Sequence, residues 1–405
     1  MGTAGFGQVE LRNELAVNVL QAIDPDEVIS FLQSLVRVPS VNPPGDVSEA
    51  MAVCAAPLAA AGFDVRLLAH GDGKPNLVAA WGNGAGPVLA FNAHLDVVPI
   101  GDESAWTHPP FGGVIDNGRV YGRGAGDDKA SVTAQVMGAI ALARAGVPLR
   151  GQLVVTEVAD EETSGAGAIH VIEHGGIAID GVIVGEQTLN TVAIGEKGTA
   201  GVEITVTGRT AHGALPWEGA NAIEGMGYVI VALGEQLQPK LRERTHPYFK
   251  PSSASVNLID GGVKANVVPD RCRIFIDRRL VPGEDPAATT AEIREIATAA
   301  VASLPGVGVT VTQSPEQRAS TMSDPEGALA RGMLAANAYL GLSTDLTGFS
   351  MATDGRHFAA AGVPTIIYGP GDPRLAHVPD EWVGVDEVLE ATKAYALAAL
   401  AILGD

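Results

Sequence analysis

Apolar residues fall along this chain in two rhythms, and the change between them marks its organisation. Up to about residue 190, β-branched and apolar runs end abruptly in polar residues: NLVAAWG (76–82), GPVLAFNAHLD (86–96), GQLVVTEVADEE (151–162) and GVIVGEQ (181–187). Such near-continuous runs predict strands covered on both faces. Between them, DDKASVTAQVMGAIALARAG (127–146) carries helical spacing behind an acidic start. The alternation predicts an α/β fold, a helix-flanked, mostly parallel sheet. In such sheets ligands collect outside the carboxyl ends of the strands.

Near Gly195 the pattern changes. GTAGVEITVTGR (198–209) alternates apolar and polar residues, as a half-exposed antiparallel strand does. A helical segment (219–237), two strands (253–262 and 270–280), a helix (286–304) and a strand (307–313) follow. That order predicts a small α+β, ferredoxin-like domain inserted into the first. The expected boundaries are 1–195 for the first part of the catalytic domain, 196–311 for the insert and 312–405 for the second part. PEGALARGMLAANAYLG (325–341) and GVPTIIYGPG (362–371) return to the helix-then-strand style.

Composition narrows the function classes. The chain has 405 residues, with 26 basic and 47 acidic residues and a net charge of −21. That balance excludes nucleic acid and anionic membranes as natural partners, and no apolar run reaches the ~18 residues of a membrane span. The amino terminus reads as a disordered lead into an amphipathic helix, without a targeting pattern. Two cysteines, Cys54 and Cys272, lack any metal or disulfide spacing and are expected to be buried; a cytoplasmic location suits them.

The candidate chemistry sits where strands end. His94 and Asp96, two apart, share one face of a strand. Asp127 and Asp128 lie in a glycine-rich loop before a helix, and Asp160, Glu161 and Glu162 follow the next strand. Glu186 ends another, and His377 follows the glycine-rich turn YGPGDPRLAH. A lone strand-end carboxylate is usually a helix cap. Five strand ends bearing imidazole or carboxylate instead suit zinc, or less strongly manganese or cobalt. Two metals sharing one carboxylate need about five protein ligands, and the set leaves one glutamate over. The loop GRGAG lacks both the GK[ST] ending and the full dinucleotide fingerprint, which argues against phosphate cradling.

The segments HLDVVP, PPFGGVIDNGRVYGRGAGDDK, DEETSG, GE, the run from His212 to Ile223, and AHVPDE resemble the di-zinc acylase and exopeptidase family. That family includes carboxypeptidase G, acetylornithine deacetylase, succinyl-diaminopimelate desuccinylase and aminoacylase. The resemblance runs from about residue 26 to the end. It implies that Asp127 bridges two divalent metals, with Glu162 and His377 on one and His94 and Glu186 on the other. Asp96 is then expected to accept the other ring N–H of His94, and Glu161 to be general base and then general acid. Asp128 is expected to cap the following helix, and Asp160 to face solvent or stand behind the ligands.

The resemblance further implies that His212 reaches a partner subunit's site and supports the oxyanion there, hence a homodimer through the inserted domain. Here Gly213 and Ala214 replace the small hydroxyl residues usual after this histidine. Asn266, Arg279 and Arg356 are the implied substrate contacts, the arginines suiting a substrate carboxylate, with a structural ion pair as the alternative for each arginine. The activity implied is amide hydrolysis on a small N-acyl amino acid or related amine. Dipeptidase or carboxypeptidase action, cleavage of a carbamoyl or aromatic-amine C–N bond, and a catalytically dead metal-binding relative remain alternatives.

Overall fold

Helix Lys129–Arg144 is buried along almost its whole length, and it packs against helix Val385–Leu403, which is buried continuously from Ala394 to its end. Gly138 permits the approach, because a Cβ there would stand 2.9 Å from the Thr392 carbonyl. The computed structural model describes residues 5–82, 84–315 and 317–405, so the expected disordered lead at residues 1–4 lies outside the described residues. The chain divides into two units, 1–195 with 323–349 and 353–405, and 196–322 with 350–352.

In the first unit the strands up to the insert are β1 (Asp64–Ala69), β2 (Pro75–Gly82), β3 (Val88–His94), β4 (Val114–Asp116), β5 (Arg119–Tyr121), β6 (Gln152–Val158), β7 (Gly181–Gly185) and β8 (Val192–Glu196). The second unit contributes β9 (Gly198–Thr207), β10 (Ser253–Gly261), β11 (Arg271–Leu280) and β12 (Gly308–Gln313). After it come β13 (Leu346–Phe349), β14 (Thr365–Tyr368) and β15 (Trp382–Gly384).

The first unit is built on an eight-stranded sheet of order β1-β2-β6-β3-β7-β14-β8-β13. Its centre, β6-β3-β7-β14, is parallel, while β1, β2 and β8 pair antiparallel. The sheet is therefore mixed, with the predicted parallel order confined to the middle. NLVAAWG reads like the central strands, yet it forms an antiparallel hairpin arm with β1. Because the four central strands run the same way, the residues after His94, Val158, Gly185 and Tyr368 emerge at one edge.

The second unit is an antiparallel sheet, β10-β11-β9-β12, with helices Ala222–Ala232 and Pro286–Val301 covering one face. Val202, Ile204, Met226, Ile274, Ile276 and Ile293 form its core. The chain leaves this unit after residue 322, not after 311 as the sequence suggested. The extension past β12 stays bonded to β9 and to the residue two before it: Ser314 donates to Gly201, Arg318 to Thr199, and Thr321 to Glu196. Cys54 and Cys272 are buried free thiols.

Candidate active site

His94 ends β3 and is 2% exposed. Its Nδ1 donates to the main-chain carbonyl of Asp96 at 2.9 Å, which turns Nε2 toward Asp127 Oδ1 at 3.2 Å. This corrects the expectation that the Asp96 carboxylate takes the ring N–H. That carboxylate lies 3.7 Å from the ring nitrogen. It accepts instead from Asn42 Nδ2 at 2.8 Å and from the N–H groups of Glu161 and Glu162 at 3.2 and 3.3 Å. Asp96 thus joins the end of β3 to the loop after β6.

Asp127 faces two imidazoles, with His377 Nε2 3.2 Å from its other oxygen and also 3.2 Å from Glu162. Glu381, four residues after His377, accepts the N–H groups of Gly126 and Asp127 at 2.9 and 3.0 Å and pairs with buried Arg123. The loops bearing His377 and Asp127 are therefore cross-linked behind the site. Asp128 occupies the N-cap position of helix Lys129–Arg144 but makes no capping bond, contrary to expectation. Burial pushes its carboxyl up to about 8.

Two sets of donors emerge: His94, Asp127 and Glu186, and Asp127, Glu162 and His377, each with ligand atoms within 4.8 Å of one another. All five residues singled out as ligands in the sequence are brought together, and Asp127 belongs to both sets. Burial pushes the carboxyls of Glu162 and Glu186 up, and one Glu162 oxygen is buried without a hydrogen-bond partner. His377 is pushed up to about 10 by its hydrogen bonds to Asp127 and Glu162. Four carboxylates, Asp127, Glu161, Glu162 and Glu186, crowd a site that water cannot neutralise. Two divalent cations would balance that charge, and carboxylate with imidazole is a fitting donor set. The residues present therefore fit a dinuclear metal centre.

Burial raises the Glu161 carboxyl well above its usual range, Asp354 and Glu162 add to the effect, and His94 and Arg356 oppose it. Arg356 is itself buried, 3.6 Å from Glu161 and donating to the Thr353 carbonyl. Its expected role on a free substrate carboxylate thus begins from a guanidinium already facing the glutamate.

Three candidates lie in the second unit. His212 is exposed, and its Nδ1 accepts the Ala214 N–H at 3.1 Å. Gly213 donates to the Asn266 carbonyl at 2.8 Å, so the structure sets His212 and Asn266 side by side. A Cβ at residue 213 would meet that carbonyl at 3.0 Å, a tight contact. Arg279 pairs with Asp277. Sequence reading missed Asn42, Arg123 and Glu381. Of the two places the sequence left open for Asp160, facing solvent or standing behind the ligand residues, the structure shows the second: Asp160 is buried and bonded to His70.

A family model described as peptidase family M20/M25/M40 matches residues 90–401. Succinyl-diaminopimelate desuccinylase from Cereibacter sphaeroides (strain KD131) is 31% identical over 388 residues, covering 93% of this chain and 98% of that protein. The enzyme of the same name from Gluconacetobacter diazotrophicus is 32% identical over 392 residues, with 93% and 97% covered. Among solved structures, a dinuclear metal-binding M20 peptidase from Bacillus subtilis aligns with a TM-score of 0.70 at 19% identity, covering 93% and 98% of the two chains. An aminopeptidase from Bacillus cereus aligns at 0.76 and 19%, covering 94% and 99%. At those identities the structural likeness speaks for the fold alone. Among the described residues no helix is long and apolar enough to cross a membrane.

Proposed function

Because this chain belongs to peptidase family M20/M25/M40, we propose that it hydrolyses the amide of a small N-acyl amino acid, with a desuccinylase-type substrate favoured over an acetyl one. The observation that carries the reading is the pair of donor sets sharing Asp127, with Glu161 beside them. When bound, two divalent ions, zinc by the donor set, supply Lewis-acid polarisation of the carbonyl and a water acidic enough to deprotonate near neutrality.

Glu161 takes the water proton as the oxygen attacks the carbonyl carbon. It returns a proton to the nitrogen as the C–N bond breaks, so that carboxylate and free amine leave. A carboxyl whose burial favours the protonated form suits the second half of that cycle. Arg356, 3.6 Å away, limits the rise and holds the carboxylate in reach of both roles.

Substrate recognition is assigned to Arg356, Arg279 and Asn266. His212 is assigned the developing oxyanion across a homodimer. The dimer reading is supported by edge strand β10, whose Leu258 and Ile259 are 67% and 62% exposed, and by Tyr228 and Val231 on helix Ala222–Ala232, 57% and 58% exposed. An unpaired apolar edge of this kind is a surface that a second copy would cover.

The test is a metal-supplemented turnover screen over succinyl, acetyl, formyl and carbamoyl amino acids, with dipeptides alongside. Turnover of the succinyl substrates at least tenfold above all others is expected. Turnover confined to dipeptides would replace deacylation with peptidase action on the same residues.

A further inference from the structure

Asp160, one residue before Glu161, has a left-handed backbone, with φ 67°. For a non-glycine residue that conformation costs roughly 1–2 kcal/mol and persists only where the surroundings enforce it. Here both ends of the residue are held. Its carbonyl accepts the N–H groups of Ser164 and Gly165 at 3.0 and 2.7 Å. Its carboxylate accepts Lys74 Nζ on both oxygens, at 2.7 and 2.8 Å, His70 Nε2 at 3.0 Å, and Asn42 Nδ2 at 2.9 Å.

The grip continues through the hairpin. His70 Nδ1 is held by the side-chain amide of Asn76 at 3.0 Å, and Oδ1 of the same Asn76 side chain accepts the Ala159 N–H at 3.1 Å. The β1–β2 hairpin therefore holds both residues that precede Glu161. Asn42 also donates to Asp96, whose carboxylate receives the N–H groups of Glu161 and Glu162. One amide thus ties the clamp on Asp160 to the anchor under the two glutamates.

We propose that Lys74 and His70 are positioning residues for Glu161, acting through Asp160. The inference rests on Glu161 as proton carrier. The clamp fixes the turn in the main chain that aims the Glu161 carboxylate, and it leaves the metal-ligand atoms untouched. A displacement of about 1 Å at such a group costs on the order of 10²-fold in rate.

Lys74 is the accessible member, its side chain 26% exposed, so Lys74→Met removes the charge without opening the core. With an N-succinyl amino acid as substrate, kcat should fall about 10- to 100-fold. KM should stay within about twofold, and two metal ions per chain should remain by elemental analysis. Lys74→Arg, which keeps a two-pronged donor, should recover most of the loss, and His70→Asn should show the same split of kcat from KM. In a Glu161→Gln background, Lys74→Met should cause no further fall.

Wild-type kcat in Lys74→Met overturns the proposal. So does an equal fall in the Glu161→Gln background, or a loss that follows the metal content. Full turnover by Glu161→Gln alone would instead remove the proton-carrier reading, a result separate from either.

Discussion

Replacing Glu161 by glutamine separates chemistry from folding more cleanly than any other change in this site. The amide has the size of the carboxyl, and the main-chain N–H that anchors residue 161 on Asp96 is unaffected. The side chain's charged neighbour, Arg356, sits at 3.6 Å, beyond hydrogen-bond distance, and donates to Thr353 in any case. None of the five ligand residues is altered. Loss of a positioned general base and acid costs about 10²- to 10⁴-fold, or about 2.7–5.4 kcal/mol at 1.36 kcal/mol per decade.

Stability should move the other way. Burial, reinforced by Asp354 and Glu162, raises the folded-state pKa of Glu161 above its value in the unfolded chain. The folded protein therefore holds that proton more tightly. The stability so gained is fully present below the ordinary pKa of about 4.3 and is lost as pH rises through the raised value. Glutamine never pays that loss. Metal-free Glu161→Gln should melt at or above the wild-type midpoint at pH 7 to 8 and level with it near pH 4. The assays are steady-state turnover with metal content measured on the same sample, and calorimetry of the metal-free protein. A kcat reduced less than tenfold with both ions bound, or a midpoint more than about 3 °C lower at pH 7.5, refutes the assignment.

Two further outcomes follow from the second unit. Glu284 accepts Ser252, the Val281 N–H at 2.9 Å, Arg278 at 2.6 Å and Arg244 at 3.1 Å. Burial pushes its carboxyl up, but these donors bring it below the usual value, so its contribution is present above about pH 4.3 and lost as pH falls through the folded pKa. Glu284→Gln leaves fully buried Arg278 without its counter-charge, a loss of about 3–5 kcal/mol; denaturant midpoints should drop at pH 7 and converge with wild type near pH 3, and a pH-independent gap would contradict the linkage. Leu258→Asp places a charge on the apolar edge strand, and sedimentation velocity should then show monomer where the unaltered chain sediments as dimer; a wild-type chain that sediments as monomer removes the edge from consideration.

What the sequence determined by itself was the inventory of chemistry and the elements that carry it. Runs ending in His94, Glu162 and Glu186, and a turn ending in His377, are local facts, and strand ends of a helix-flanked sheet are where ligands gather. The switch to alternating apolar and polar residues near Gly195 was equally local, since burial on one face writes a period of two into the chain.

Tertiary structure decided the rest, because hydrogen bonds between distant segments leave no periodic trace. NLVAAWG has the apolar run of a central strand, yet register with β1 and β6 makes it an antiparallel arm. Asp96 looked like the partner of the His94 ring, but two residues of separation bring its carbonyl to the ring while its carboxylate meets Asn42 and the glutamate N–H groups. Asp160 could be read as facing solvent or as standing behind the ligand residues; the hairpin that buries it lies 86 residues away in the chain at Lys74. The candidate metal-binding residues could be singled out from residue type, position and the resemblance they carry, whereas what aims them depends on which loops the fold brings to the same edge.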